Sequence, residues 1–304
     1  MSADASWAMV GEEMRKILRD RVRAGEPMAK HTTIGVGGPA RWMALPASGA
    51  EVARVVRCAL AHAVPYVSVG KGSNLIVRDG GYDGIVIKLA EHMTAVRVNQ
   101  RTVFAQGGAS FAALARKMTR AGRTGLEFGI GIPGSVGGAV RMNAGAFGGE
   151  VEDALVSVRI VDETGATRTL RATDIAFSYR HTSIDPRAVV VGATFRCAPG
   201  TIRQDVYDRS IGRKLTQPIS ERSFGSTFVN PPGRYAAEMI EGCGLKGTRR
   251  GGAMISDMHA NFIINVEGHA TAADVEALIE LARTEVRRKY AVELKTEVIV
   301  IGNR

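Results

Sequence analysis

Apolar positions along the chain recur with two different periods, and the switches between them mark out its elements. A first helix is predicted at about residues 8–22. Val52, Val55, Val56, Ala59, Leu60 and Ala63 then recur three or four apart, the spacing that lines one face of an α-helix. Ser48 and Glu51 stand in capping-box spacing ahead of them, so a helix is predicted over 49–63. Tyr66–Val69 alternates like a short strand, and 85–89 reads as another. Ser110 can cap a helix that carries Phe111, Leu114, Ala115 and Met118 on one face. Strands are predicted near 156–161 and 189–195. Helices follow at 203–215 and 235–243, then a strand at 261–266. Thr271 and Asp274 open a long helix with Val275, Leu278, Ile279, Ala282 and Val286 on one face, and 298–301 reads as a closing strand. This order of elements predicts an α+β protein.

The periodicity fails from 122 to 149, where the chain is dense in glycine. A loop that long inside a folded domain is usually functional or disordered, and the apolar residues running through it argue against disorder. The stretch around Pro199 and Gly200 is the predicted boundary between two domains.

Composition adds to this picture at three points. The 304 residues include 36 glycines against 10 prolines with no collagen-like period, so many tight turns or close backbone approaches are expected. The formal charge of +10 fits either a solvated basic surface or a phosphate-rich partner. Basic residues are dispersed and aromatics make up only 6%, which argues against nucleic acid and leaves small phosphorylated ligands as the simpler fit. Cys58, Cys197 and Cys243 form no CxxC, so neither a disulfide framework nor a metal site is expected. The first 20 residues hold no signal-like apolar stretch, and none approaches the roughly 18 apolar residues of a membrane span. A cytoplasmic protein without membrane insertion is expected.

Two glycine-rich segments carry the candidate chemistry. The first, Val69-Gly70-Lys71-Gly72-Ser73-Asn74, directly follows a predicted strand. Its glycines would let backbone N–H groups converge on an anion, with Ser73 and Asn74 adding side-chain donors. Standing alone, the same segment reads equally well as a plain tight turn. It is not a Walker loop, which requires GxxxxGK[ST]. The second is GIGIPGSVGGAVRMNAGAFGGE, residues 129–150. Gly129, Gly131 and Gly134 match GxGxxG, with Asp153 near the spacing of a ribose-binding acid. Pro133 inside the match, the lack of a preceding apolar strand and the glycine-rich continuation exclude a Rossmann turn. Eight glycines in 22 residues cost conformational entropy, so the loop reads as backbone laid against a large flat or phosphorylated cofactor.

GKGSNLIVRDGGYDG, GLEFGIGIPGSVGGAVRMNAGAFGGE, Tyr179-Arg180, GSTFVNP and LKGTRRGGAMIS occur in one order. Together they resemble the UDP-N-acetylenolpyruvoylglucosamine reductase (UDP-N-acetylmuramate dehydrogenase) family of vanillyl-alcohol-oxidase-like FAD proteins. The resemblance spans about residues 30–304. It implies an FAD-binding domain at 1–200, with subdomains at about 1–90 and 91–200, and an α+β substrate-binding domain at 201–304. It further implies that a last strand, 296–304, returns to the N-terminal domain. The short stretch between Asn230 and Leu245 resembles the short form of the family, without an inserted Tyr-bearing loop.

The implied activity is reduction of UDP-N-acetylglucosamine enolpyruvate, with NADPH as co-substrate and non-covalent FAD as hydride carrier. The resemblance puts the FAD pyrophosphate at Gly70, Lys71, Gly72, Ser73 and Asn74. It puts further FAD contacts at Ile132, Pro133, Gly134, Ser135, Gly137, Gly138, Asn143 and Gly145. Arg180 matches the catalytic arginine, Ser226 the proton donor, with Lys214 or its own turn to stabilise the alkoxide, and Glu297 the third catalytic residue. Read without the resemblance, these are a surface arginine, a turn serine and a strand-edge glutamate. Tyr179, Lys214, Asn230 and Lys246 are assigned to the UDP-sugar. His31 and Met254 depart from the family pattern without touching the catalytic positions. The implied protein is a monomer with a UDP-sugar substrate and no nucleic-acid partner. Another FAD-dependent oxidase of the superfamily and a catalytically dead FAD-binding regulator are the rival readings. Neither accounts for the set Arg180, Ser226 and Glu297.

Overall fold

The computed structural model describes residues 3–212 and 215–304. The chain forms two compact units, neither of them one continuous stretch. The first comprises Met1–Glu26, Ala40–Lys71 and Asp83–Ile211, and the second Pro27–Pro39, Gly72–Tyr82 and Gly212–Arg304. The units thus interleave, and the later crossover falls near 211 rather than at 200. Helix Gln204–Gly212 explains that difference. Its Val206 is buried in the apolar cluster of the first unit, and the Ser210 hydroxyl donates to Glu127 O at 3.3 Å.

A five-stranded antiparallel sheet organises the first unit, in the order Thr167–Arg171, Leu155–Val161, Val189–Arg196, Thr102–Gln106, Val96–Val98. Helix Phe111–Arg120 lays its predicted face on this core, and the Phe111 ring sits 5.9 Å from both Phe128 and Phe195. A second sheet runs Val22–Pro27, Pro39–Ala44, Tyr82–Lys88, Tyr66–Val69, with the last pair parallel. Helices Ala3–Leu18 and Gly49–Ala61 share a separate core in which Val10, Met14 and Leu18 lie with Val52, Val55 and Val56. Ser48 accepts from Glu51 N at 3.2 Å, as its spacing predicts. That helix stops at Ala61, two residues before the predicted end. Leu60, placed on its apolar face by spacing, is 46% exposed, and Ala63 lies beyond the helix at φ 51°.

The second unit is built on an antiparallel sheet, Ser223–Ser226, Phe262–Asn265, Ala253–Ile255, Arg249–Arg250. Helix Ala272–Tyr290 buries all five predicted face residues in its core. Its N-terminus is closed by a Thr271–Asp274 capping box. Asp79 also accepts from the amides of Ala272 and Ala273 at 2.9 and 3.0 Å, satisfying donors that no helix can satisfy internally. Strand Ile299–Ile301 pairs in parallel with Leu75–Val77. Among the described residues no helix is long and apolar enough to cross a membrane.

Candidate active site

The segment 122–149 is more ordered than its pattern suggests. Glu127–Gly131 is a 3-10 turn and Val136–Arg141 a short helix. Glu127, which opens the 3-10 turn, is a buried carboxylate. Burial alone would raise its pKa, but bonds from Thr124 Oγ1, Gly125 N and Arg203 N hold it below the ordinary value. Ser135 caps the short helix by accepting from Gly138 N at 3.3 Å. Gly137 N donates to Gly107 O at 2.8 Å. Of the residues expected to contact a cofactor, Gly137 and Gly138 therefore have their amides already engaged within the protein. What they offer a ligand is backbone without side chains.

Gly70 explains why the two glycine-rich segments belong together. A Cβ on Gly70 would lie 1.9 Å from Ser135 Oγ, so only glycine lets these two stretches touch. Opposite Val69, at the strand end leading into Gly70, stands Lys88. Burial pulls its ammonium down to about 8. The pattern of the strand gave this lysine no special mark. Lys71 is exposed beside Gly70, while Ile132 and Gly134 are half-buried and Pro133 is exposed.

Arg180 occupies the tip of a two-residue hairpin in which Ser178 pairs with His181. It takes a left-handed φ of 60°, uncommon for a residue with a side chain and a frequent mark of functional positions. Its guanidinium donates to Gly145 O at 3.2 Å and lies 4.8 Å from the centre of the Tyr179 ring. Asn143, fully buried and at φ 38°, ties the same pieces together from inside. Its amide donates to Glu150 Oε2 at 2.7 Å and to Ser178 O at 3.4 Å, and accepts from Glu152 N at 3.0 Å. The Asn143 side chain is thus engaged within the protein, which leaves its backbone for the cofactor contact the resemblance implies. Its role in the first unit is to clamp the loop carrying Gly145 to the hairpin carrying Tyr179 and Arg180.

In the second unit, Gly72 sits at φ 68°, where a Cβ would lie 2.0 Å from His31 O. Among the described residues the Ser73 hydroxyl and the backbone N–H groups of Ser73 and Asn74 donate no hydrogen bond to protein. That leaves a set of donors open to an anion. Asn74 Nδ2 donates to Glu297 O at 3.0 Å, and Ile299 N donates to Asn74 O at 3.1 Å.

Ser226 ends its strand after Gly225, whose φ of 85° bends the chain, and its register is shifted by a bulge. An isolated antiparallel bridge joins Phe228 to Thr296, and Glu297 N donates to Thr227 O at 2.9 Å. The segments bearing Ser226 and Glu297 are thereby held side by side. Glu297 precedes the closing strand rather than lying in it. Both residues are half-buried, and the Ser226 hydroxyl has no hydrogen-bond partner among the described residues. Asn261 escaped the sequence reading, yet its buried amide accepts from Phe228 N at 2.9 Å and donates to Phe228 O at 2.8 Å. It acts as a strand partner made of one side chain.

The residues assigned to the sugar nucleotide are less uniform. Tyr179 is 47% exposed beside Arg180. The Asn230 side chain accepts from Ala236 N at 3.0 Å, at the start of helix Ala236–Gly242. Lys246 is paired with Glu241 at 3.0 Å. Lys214 lies outside the described residues.

Residues 40–171 match the FAD binding domain family. The fold and its glycine-lined loops therefore define an FAD-dependent oxidoreductase. Residues 217–301 match the family described as UDP-N-acetylenolpyruvoylglucosamine reductase, C-terminal domain. The chain is 42% identical to the reductase of that name from Azorhizobium caulinodans, over 94% of this chain and 93% of that protein. It is 41% identical to the one from Geobacillus thermodenitrificans, over 97% and 95%. The crystal structure of the Thermus caldophilus reductase superposes with a TM-score of 0.78 at 34% identity, covering 90% of this chain and 97% of that one. This chain belongs to the UDP-N-acetylenolpyruvoylglucosamine reductase family.

Proposed function

We propose that this protein reduces UDP-N-acetylglucosamine enolpyruvate to UDP-N-acetylmuramate with NADPH, as a cytoplasmic monomer of the short form that binds no nucleic acid. The observation that carries the reading is the fixed setting of its three catalytic candidates. Arg180 is held at a left-handed hairpin tip against Gly145. Ser226, whose hydroxyl has no partner among the described residues, lies near the Phe228–Thr296 bridge next to Glu297.

The donors at Ser73 and Asn74, with Lys71 beside them, suit the pyrophosphate of FAD. Glycines at 134, 137, 138 and 145 leave its path free of side chains. FAD, when bound, supplies the hydride carrier between NADPH and the substrate. The protein's own task follows from the charge that develops. Hydride arrival at the terminal enolpyruvyl carbon puts negative charge on the carbon bearing the carboxylate. The Arg180 guanidinium offers that carboxylate two parallel donors and stabilises the charge. The Ser226 hydroxyl gives the proton to the charged carbon, and Glu297 returns proton balance to the serine or orients the carboxylate. Tyr179, Lys214, Asn230 and Lys246 hold the UDP-sugar. For Asn230 and Lys246 this requires ligand to displace or share their present partners.

The test is an anaerobic visible spectrum of the purified protein, with NADPH added first and the enolpyruvyl sugar second. Bleaching of the flavin band by NADPH and its return with the sugar nucleotide are expected. Return with oxygen alone overturns the substrate assignment and favours an oxidase of the same superfamily. A protein that holds no flavin even after FAD is added overturns the whole site.

A further inference from the structure

Helices Ala3–Leu18 and Gly49–Ala61 meet through apolar faces, and that contact ends in three side chains of matched chemistry. A Glu13 carboxylate oxygen, the Cys58 sulfur and a His62 ring nitrogen all lie within 4.8 Å of one another. Cys58 and His62 are four residues apart, which sets them on one side of the same helix. His62 is the residue at which that helix ends, and its amide donates to Cys58 O at 3.2 Å. Glu13 reaches them from the other helix, with Oε2 2.9 Å from His62 Nε2. The thiol is 1% exposed, while the imidazole and carboxylate are 19% and 44% exposed. The cluster is therefore closed behind the sulfur and open towards solvent at the carboxylate.

We propose that Glu13, Cys58 and His62 bind a zinc ion that staples the two helices together, with water as the fourth ligand. Thiolate, imidazole and carboxylate are the ligand types zinc takes, at about 2.0–2.3 Å in tetrahedral arrangement. That geometry sets neighbouring donor atoms ~3.3–3.8 Å apart, a small rotamer adjustment from the present cluster. The unsatisfied carbonyls at the end of helix Gly49–Ala61 carry partial negative charge and favour a cation there. No cysteine pair announces the site along the sequence, because one ligand comes from a separate helix. Zinc takes cysteine as the thiolate, so binding displaces the Cys58 thiol proton, and affinity falls as pH falls.

The test uses tag-free, FAD-loaded full chain, stripped with a chelator and titrated with zinc chloride by calorimetry in two buffers of different ionisation enthalpy. One-to-one binding with net proton release is expected, together with a higher unfolding temperature. Zinc should also protect Cys58 from alkylation, read by mass spectrometry. Cobalt should give visible bands to the red of the flavin absorption. Cys58→Ser should lose the zinc-dependent rise in unfolding temperature, and His62→Gln and Glu13→Gln should bind more weakly than wild type. Should Cys58→Ser fail to fold, the other two variants decide. Absence of zinc binding by the wild type, or unchanged affinity in His62→Gln and Glu13→Gln, overturns the proposal.

Discussion

Replacing Asn143 by alanine tests the clamp between the glycine-rich loop and the Arg180 hairpin. The bond to the Glu150 carboxylate, at 2.7 Å, contributes about 2 kcal/mol because its acceptor is charged. The bond from Glu152 N, at 3.0 Å, contributes about 1 kcal/mol, and the long 3.4 Å contact to Ser178 O little. Alanine held at φ 38° adds a further cost of about 1 kcal/mol. The sum is a destabilisation of about 4 kcal/mol. Asn143→Gly loses the same bonds but is free of the backbone cost, so it should fall about 1 kcal/mol less. Urea unfolding of the three proteins, with and without added FAD, measures both differences. At saturating FAD, kcat of the alanine variant should fall by about 100-fold, as displacement of a positioning group by an ångström does. An alanine variant within about 1 kcal/mol of wild type, or a glycine variant no more stable than alanine, refutes the clamp.

Three other substitutions bear on separate parts of the molecule. Ser226→Ala should retain FAD and its reduction by NADPH, yet slow re-oxidation by the enolpyruvyl sugar by about 100-fold or more; stopped-flow absorbance separates the two half-reactions. Gly72→Ala, which meets His31 O, should cost well over 2 kcal/mol and lose FAD. Gly122→Ala, at φ 67° with open space around it, should cost only about 1 kcal/mol, a contrast read by thermal unfolding. Asp162 is held down to about 2, chiefly by the Thr164 hydroxyl, with further bonds from Ala166 N and Arg168. Its folded value is below the ordinary one, so its contribution of about 2 kcal/mol is present above pH ~4 and lost as pH falls towards 2. Asp162→Asn should flatten the pH dependence of the unfolding midpoint across that window.

Elements with several turns of regular spacing were legible in the sequence, because burial of one face dictates the spacing. Helices Phe111–Arg120 and Ala272–Tyr290 bury the faces their patterns predict. Periodicity says less about where a helix and its buried face stop, so Leu60, exposed in the last turn, and Ala63, beyond the helix, were assigned to the buried face. The six-residue helix Val136–Arg141 is too short to display a period and stayed hidden in its glycine-rich surroundings. The glycine-rich composition of the two loops was readable, but the contacts that require Gly70 and Gly72 were not, since Ser135 and His31 meet them from distant parts of the chain. The interleaving of the two units left no local pattern, since it depends on pairing Leu75–Val77 with Ile299–Ile301, and the return of the last strand was expected from the family resemblance alone. Nor was the role of Asn261 legible, since its partner Phe228 is 33 residues away. The clamp made by the Asn143 side chain had no signal either, since its partners are Glu150, Glu152 and Ser178 in the folded chain.

The pairing of Leu75–Val77 with Ile299–Ile301 also imposes an order on the birth of the molecule. Asn74 is anchored by Glu297, 223 residues further along the chain, so this anchor forms only after residue 297 has been made. Closing so large a loop is slow relative to local helix formation. A nascent chain released before residue 297 has the glycines of the 70–74 loop but lacks the partner that fastens the Asn74 side chain. On the proposed assignment of the FAD pyrophosphate to that loop, flavin capture then becomes a late event, one that reports on whether synthesis has passed residue 297.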